Sequence, residues 1–398
     1  MKRFAFIMTL AFISATAFAN LNGNGYYRVR NYGSGRWANV IDNQGEIDMT
    51  ATTADLHSMQ LNLDTEEIIT DPGSILYISN EGGRKYNVAA QGTSIEAIAG
   101  YDIYIGEYGT VGDQSIYVFY GTYKGATKYI GDKNMVTTDQ FGYATIDDVT
   151  NKNYQRWYIL PVSVESSNYF AAVPTLNVGG KLYRTLFTSF PYQTYSPGVK
   201  AYYINRVGDG MAEMIEIEDG VVPENSPVII ECAGESAADN KLALYSSYAS
   251  LPANSLSGVY FDYYYSKNLN NRVLYDPATM RVLGTCSDGS LGFITSSDLE
   301  SIPANSAYLK VPEGSPAEFR CVSSEEYTAD VSTISADGNT LQYQNGIIYS
   351  GKTAQISVIN LDGQTVAKAV GSSLDVSNLP KGIYIAKTSD KTIKFAVN

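Results

Sequence analysis

From residue 20 to about residue 162, apolar and polar residues alternate in short runs broken by Gly-rich turns, with almost no helical periodicity. Three stretches repeat one pattern: a strand of alternating apolar residues, a Gly-rich turn, then a second strand carrying an aromatic. They run from Tyr27 to Trp37, from Tyr77 to Tyr86 and from Tyr117 to Tyr129, so the closing aromatics lie 49 and then 43 residues apart. A repeat this small cannot bury its own apolar face and must stack against its copies. The pattern predicts a closed all-β module over 20–162. Trp37, Tyr86 and Tyr129 are expected to be its matched core aromatics, pointing at a pseudo-threefold axis, with Trp157 packed at its base.

A second block follows, 163–325. Its strand-like runs include Lys200–Ile204, Met214–Ile217, Pro227–Glu231 and Ala307–Val311. A turn phrase recurs as Val222-Pro-Glu-Asn-Ser226 and Ile302-Pro-Ala-Asn-Ser306, with a shorter echo at Leu251-Pro-Ala-Asn-Ser255. Proline fixes such a turn and asparagine accepts its unusual backbone angles, so each phrase is expected to feed a strand. An antiparallel β-sandwich region is the predicted architecture. The polar stretch Val322–Val331 reads as a linker, and 326–398 as a small Ig-like β-sandwich. In that last block Leu361-Asp362-Gly363 marks a hairpin, and Ile393, Phe395 and Val397 alternate inward on the final strand.

The first nineteen residues stand apart. Lys2 and Arg3 precede the apolar stretch Phe4–Phe12, and Ala17-Phe18-Ala19 has the small-x-small form of a cleavage site. Residues 1–19 therefore read as a secretory signal peptide. No later run is long and apolar enough to span a bilayer as a helix. The expectation is an exported protein, passing through the periplasm to the cell surface or the extracellular space.

Composition narrows the function classes. Acidic residues number 41 against 28 basic ones, a net charge of −13 that becomes −15 once Lys2 and Arg3 are gone. Phosphate neutralisation needs clustered Lys and Arg, so nucleic acid is not an expected partner. With 33 Tyr and 35 Gly, the chain suits exposed sheet and tight turns rather than disorder. Cys232, Cys286 and Cys321 allow one disulfide and a free thiol in an exported protein, the pair being left open.

Catalytic hardware is sparse. His57 is the only histidine, no G-x-S-x-G elbow exists, and a single His with scattered Cys cannot make a tetrahedral metal set. The acidic pairs Glu66-Glu67, Asp147-Asp148 and Glu325-Glu326 are adjacent in sequence, and on a strand adjacent residues face opposite ways. No metal and no cofactor is called for, and the chain reads as non-enzymatic.

Two resemblances refine this reading. The opening Tyr26-Tyr27-Arg28-Val29-Arg30-Asn31 with Gly35-Arg36-Trp37, the threefold repeat and the closing Gln155-Arg156-Trp157 together resemble a ricin-type β-trefoil, over about a third of the chain. Leu361-Asp362-Gly363, Leu379-Pro380-Lys381-Gly382-Ile383-Tyr384, and Lys391 with Lys394 resemble the C-terminal sorting domain of type IX secretion substrates. The first resemblance implies a sugar-reading module, and the second implies handling by the secretion machinery.

Saccharides are held by an aromatic face and a carboxylate or amide that grips adjacent hydroxyls. In a trefoil that hardware sits just after each hairpin. The candidates are Tyr32, Asp42 and Asn43 in the first lobe and Tyr123, Asp132 and Asn134 in the third; Asn87 and Gln91 make a weaker set in the second. The favoured function is binding of a glycan or glycoprotein. The alternatives are a structural or adhesive surface protein without sugar binding, and a glycan-active enzyme of carboxylate type.

Overall fold

The computed structural model describes residues 21, 24–40, 47–50, 66–94, 102–123, 126–132, 142–145, 152–245, 250–262, 264–266, 269–327, 341–344, 346–360 and 363–397. The expected signal peptide 1–19, His57, Asp42, Asn43, Asn134 and the Leu361-Asp362 part of the expected hairpin lie outside them. The chain is all-β, and among the described residues helix is confined to short turns such as Glu66–Ile69. It forms two compact units, Met1–Cys321 and Val322–Asn398.

Six antiparallel strands of the first unit close on themselves. Gly25–Asn31 pairs with Leu76–Gly82 on one side and Trp157–Pro161 on the other. Leu76–Gly82 pairs with Lys85–Ala90, which pairs with Ile103–Val111. Ile103–Val111 pairs with Gln114–Tyr123, and the Trp157↔Tyr117 pair completes the ring. Alternate residues on a strand share a face, so each strand sends residues i and i+2 inward. The inward pairs are Tyr27/Val29, Leu76/Ile78, Tyr86/Val88, Ile103/Ile105, Tyr117/Phe119 and Trp157/Ile159, all buried in one cluster. Side chains fill the interior and leave about 20 Å³ beside Val29, Phe119 and Trp157. The ring interior is a packed core, not a ligand chamber.

The matched closing aromatics part company here. Tyr86 lies on a ring strand and points inward, its hydroxyl donating to the Leu21 carbonyl over 2.7 Å. Trp37 is equally buried but sits outside the ring, in a satellite cluster with Ile68, Ile69, Ala171 and Ala237. Tyr129 is 38% exposed. The register explains it: Tyr129 pairs with Tyr120, and the neighbouring Phe119 faces inward, so Tyr120 and its partner face outward. Trp157 does pack in the ring, donating from Nε1 to the Ile130 carbonyl at 3.0 Å.

Beyond residue 162 the described residues of the same unit form a short ribbon, Tyr264–Ser266 with Leu269–Asn270, and two larger antiparallel sheets. One joins Phe170–Ala171, Lys241–Leu244, Tyr192–Thr194 and Val221–Val222; the other includes Lys181–Leu186, Val228–Cys232, Lys200–Gly208 and Met211–Glu216. The turn phrases behave as their chemistry requires. Asn225 and Asn305 hold φ of 56° and 52°, the left-handed region that asparagine tolerates and most residues avoid. All three cysteines are free thiols. The expected disulfide is therefore not formed.

The expected domains 20–162 and 163–325 pack as one unit because polar and apolar ties cross between them. Arg28, fully buried, donates to Ser74 Oγ, Asn168 Oδ1 and the carbonyls of Ile69 and Tyr169, at 2.7–3.0 Å. Burial pulls the Arg28 pKa down, and the negative charge of Asp71 partly restores it. Gln91 and Asn305 exchange two amide hydrogen bonds of 3.0 Å. Ile75, next to the ring strand Leu76–Gly82, joins the sandwich core with Phe170, Phe190 and Val228.

The second unit is a sheet of Leu341–Gln344, Ile347–Ile359, Thr365–Asp375, Gly382–Lys387 and Thr392–Val397. Ile348, Ile356, Val358, Tyr384, Ala386 and Phe395 form its core. The Tyr384 hydroxyl reaches back 2.7 Å to the Pro380 carbonyl, fastening the Leu-Pro-Lys-Gly turn to the strand that follows.

Candidate functional site

Inward residues on the ring strands dictate what the outside shows. Because Tyr27 and Leu76 point into the core, Tyr26 and Tyr77 must point out. The register sets Tyr26 directly opposite Tyr77, and their ring centroids lie 5.0 Å apart at a tilt of 49°. Phe190, from the sandwich, brings its ring to 5.7 Å from Tyr26 and is held from behind by Phe170 at 5.3 Å, edge to face.

These rings wall a cleft of about 340 Å³, which Ile75, Ala89, Ala90, Gly92, Ser189, Pro191 and Glu224 also line. Ile75 and Phe190 are buried and form its apolar floor. Glu224 is exposed and supplies a carboxylate. Its position is set by the Pro-Glu-Asn-Ser turn, where left-handed Asn225 accepts a hydrogen bond from the Tyr260 hydroxyl. Tyr260 is itself stacked on Phe187, centroids 4.3 Å apart.

The electrostatics of the cleft are one-signed. Burial, then the neighbouring Tyr77 and the Glu224 charge, push the Tyr26 hydroxyl up to about 12. Burial and Glu224 also raise Tyr260. Both phenols therefore stay neutral hydrogen-bonding groups at any physiological pH. Flat amphipathic rings, a carboxylate and the Ser189 hydroxyl over an apolar floor can grip a small ligand with alternating C–H and O–H faces.

The residues expected from the sequence sit elsewhere. Tyr32 is half-buried, its ring edge-on to Tyr158 at 5.8 Å. Asp132 is fully buried and committed within the protein. One of its oxygens accepts from Ser34 Oγ and from Arg36 Nε at 2.8 Å, and the other accepts from Arg36 Nη2. With both oxygens occupied, Asp132 fastens the Gly131–Asp132 strand to the first-lobe turn and is corrected here from ligand contact to internal tie. Gln91 is spent on Asn305. Tyr123 ends the Gln114–Tyr123 strand, with its side chain outside the described residues, as are Asp42, Asn43 and Asn134. Thus Tyr32 and Asp132 approach one turn, and neither lines the cleft.

Sequence reasoning passed over Tyr26, Tyr77, Phe190 and Glu224. For the tyrosines a signal existed: each flanks an inward-facing residue on a strand, so its ring had to face outward. Glu224 sat within a recognised turn phrase, but nothing marked the ring surface it would face.

With the geometry in hand, comparison with known proteins adds one firm element. Residues 329–397 match the family model of the secretion system C-terminal sorting domain. The protein is exported by type IX secretion to the cell surface or extracellular space. The matched stretch holds the Leu379–Tyr384 phrase and the Thr392–Val397 strand. No curated protein matches the chain in sequence. Among solved structures it is similar to a mosquitocidal holotoxin at 8% identity and a TM-score of 0.22, over 95% of this chain and 42% of the toxin. It is also similar to the hemolytic lectin CEL-III at 11% identity and a TM-score of 0.18, over 84% of this chain and 70% of the lectin. The chain thus spans less than half the length of the toxin. Among the described residues, no helix is long and apolar enough to cross a membrane.

Proposed function

We propose that this exported protein is a non-catalytic recognition protein whose trefoil-like ring module, with the sandwich docked beside it, binds a glycan or glycoprotein at the cell surface. One observation carries the reading: the Tyr26–Tyr77 cross-strand pair faces a cleft that Phe190 floors and Glu224 edges. Two rings meeting at a tilt offer a sugar the apolar faces its C–H groups need, and the carboxylate accepts from adjacent hydroxyls. Six strands with two inward residues each support the trefoil-like reading of the ring. The non-catalytic reading draws on the lining itself, where Glu224 is the single carboxylate among the described residues; hydrolysis by paired carboxylates uses two, about 5–10 Å apart.

A glycan array probed with the full exported chain tests the proposal. The expected result is selective binding that Tyr77→Ala weakens about tenfold, the loss of one stacked ring and its area. A folded chain that binds nothing on a broad array would favour the structural or adhesive role instead.

A further inference from the structure

Among the described residues Glu224 forms no ion pair, unlike several other carboxylates of this chain. Lys181 bonds Glu231, Lys200 bonds Glu216, Lys85 bridges Glu81 and Asp102, and Arg272 pairs with Glu300. Among the described residues no Lys or Arg lines the Tyr26–Tyr77 cleft. A negative charge therefore stands beside aromatic faces with no described Lys or Arg in the cleft to neutralise it. Its field reaches the rings, since Tyr26 and Tyr260 both feel it.

An exposed carboxylate next to π-faces is complementary to an organic ammonium group. The ring quadrupoles attract a cation over their faces and the carboxylate pairs with it. An anionic sugar would be repelled by Glu224, and a neutral one would gain only stacking and hydroxyl contacts. The net charge of −13 works in the same direction, concentrating cations near the surface. We infer that the cleft selects saccharides bearing a free, protonated amino group over their N-acetylated counterparts. The inference rests on the saccharide reading above and sharpens it to a ligand class: amino sugars in which the amine lies between the Glu224 carboxylate and the Tyr26 and Tyr77 rings.

The test uses the full chain, titrated calorimetrically at low ionic strength and mildly acidic pH. The ligands are a glucosamine oligomer and the N-acetylglucosamine oligomer of the same length. The amine form is expected to bind about tenfold more tightly, from one ion pair and one cation–π contact. Added salt should shrink that preference, because the pair is exposed. Glu224→Gln should cut the preference to the roughly threefold that the cation–π contact alone supplies. Equal affinity for the two oligomers, or a tenfold preference that Glu224→Gln leaves undiminished, overturns the inference. If equal affinity is abolished by Tyr77→Ala, amine selection fails while the saccharide reading stands. If neither oligomer binds and the glycan array is blank, both fall together.

Discussion

At the scale of single residues, the most consequential side chain outside the cleft is Arg28. Its guanidinium is fully buried and has no carboxylate in hydrogen-bond contact; a hydroxyl, an amide and two carbonyls share it. Those acceptors belong to segments that neighbour both the ring and the sandwich. Removing one partner of a buried charged network leaves the others unsatisfied and dry, which costs more than the network contributes net. Arg28→Ala is expected to destabilise the first unit by about 3–5 kcal/mol in urea unfolding; a loss below about 1 kcal/mol, the range of a surface contact, would show that the tie is dispensable. Such a residue is hard to read from sequence. In Tyr27-Arg28-Val29-Arg30 the arginines occupy the outward positions of an alternating strand, and outward normally means solvent. What lies outside the ring at Arg28 is the sandwich, and no pattern within the strand announces that. Asp132 was misread by the same route, because the Asp of a Gly-Asp turn signal gives no hint that Arg36, nearly a hundred residues earlier, will claim both oxygens.

At the scale of strands and turns, far more was legible. Period-two alternation marked the first module as all-β, and the ring buries a pair of alternate residues from each of its six strands. The Pro-x-Asn-Ser phrases were recognised as turns, and two of their asparagines adopt positive φ. The equivalence of Trp37, Tyr86 and Tyr129 did not survive, since similar spacing in sequence placed Tyr86 on a ring strand and the other two on hairpin strands beyond it. The cleft itself depends on docking between segments more than a hundred residues apart, which strand patterning cannot supply. The C-terminal phrase is the clearest local signal, for Leu379–Tyr384 forms the turn whose tyrosine anchors the small core. Deleting Gly382–Asn398 removes Tyr384, Ala386 and Phe395 from that core along with two paired strands. The truncated protein is expected to accumulate in the periplasm, measured by fractionation and immunoblotting; normal delivery to the surface would contradict a sorting role.

At the scale of the whole molecule, the tyrosine-rich composition makes alkaline pH the informative stress. Tyr26 and Tyr183 are raised from 10.0 to about 12, chiefly by burial, and burial raises Tyr192, Tyr202 and Tyr260 as well. Below pH 10 these phenols are protonated in both folded and unfolded chains, so their contribution to stability is constant. Above it the unfolded chain releases protons that the folded chain retains, and stability falls as pH climbs from 10 toward 12. Thermal melts should therefore hold a flat Tm up to about pH 9 and drop steeply beyond pH 10. A Tm insensitive to pH over that window would mean the phenols are solvated. The acidic surface acts in the same direction through self-repulsion, and added salt should moderate only that part of the loss.

The central claim is that ligands enter between Tyr26, Tyr77 and Glu224, and oxidative footprinting read by mass spectrometry addresses it most directly. The exported chain would be labelled with and without a saturating oligosaccharide chosen from the array. Protection of Tyr26 and Tyr77, with no change at the exposed Tyr108 and Tyr129, is the predicted outcome. Protection at Tyr108 or Tyr129, with Tyr77 labelled as before, would contradict it and move the binding surface to the other strands of the ring.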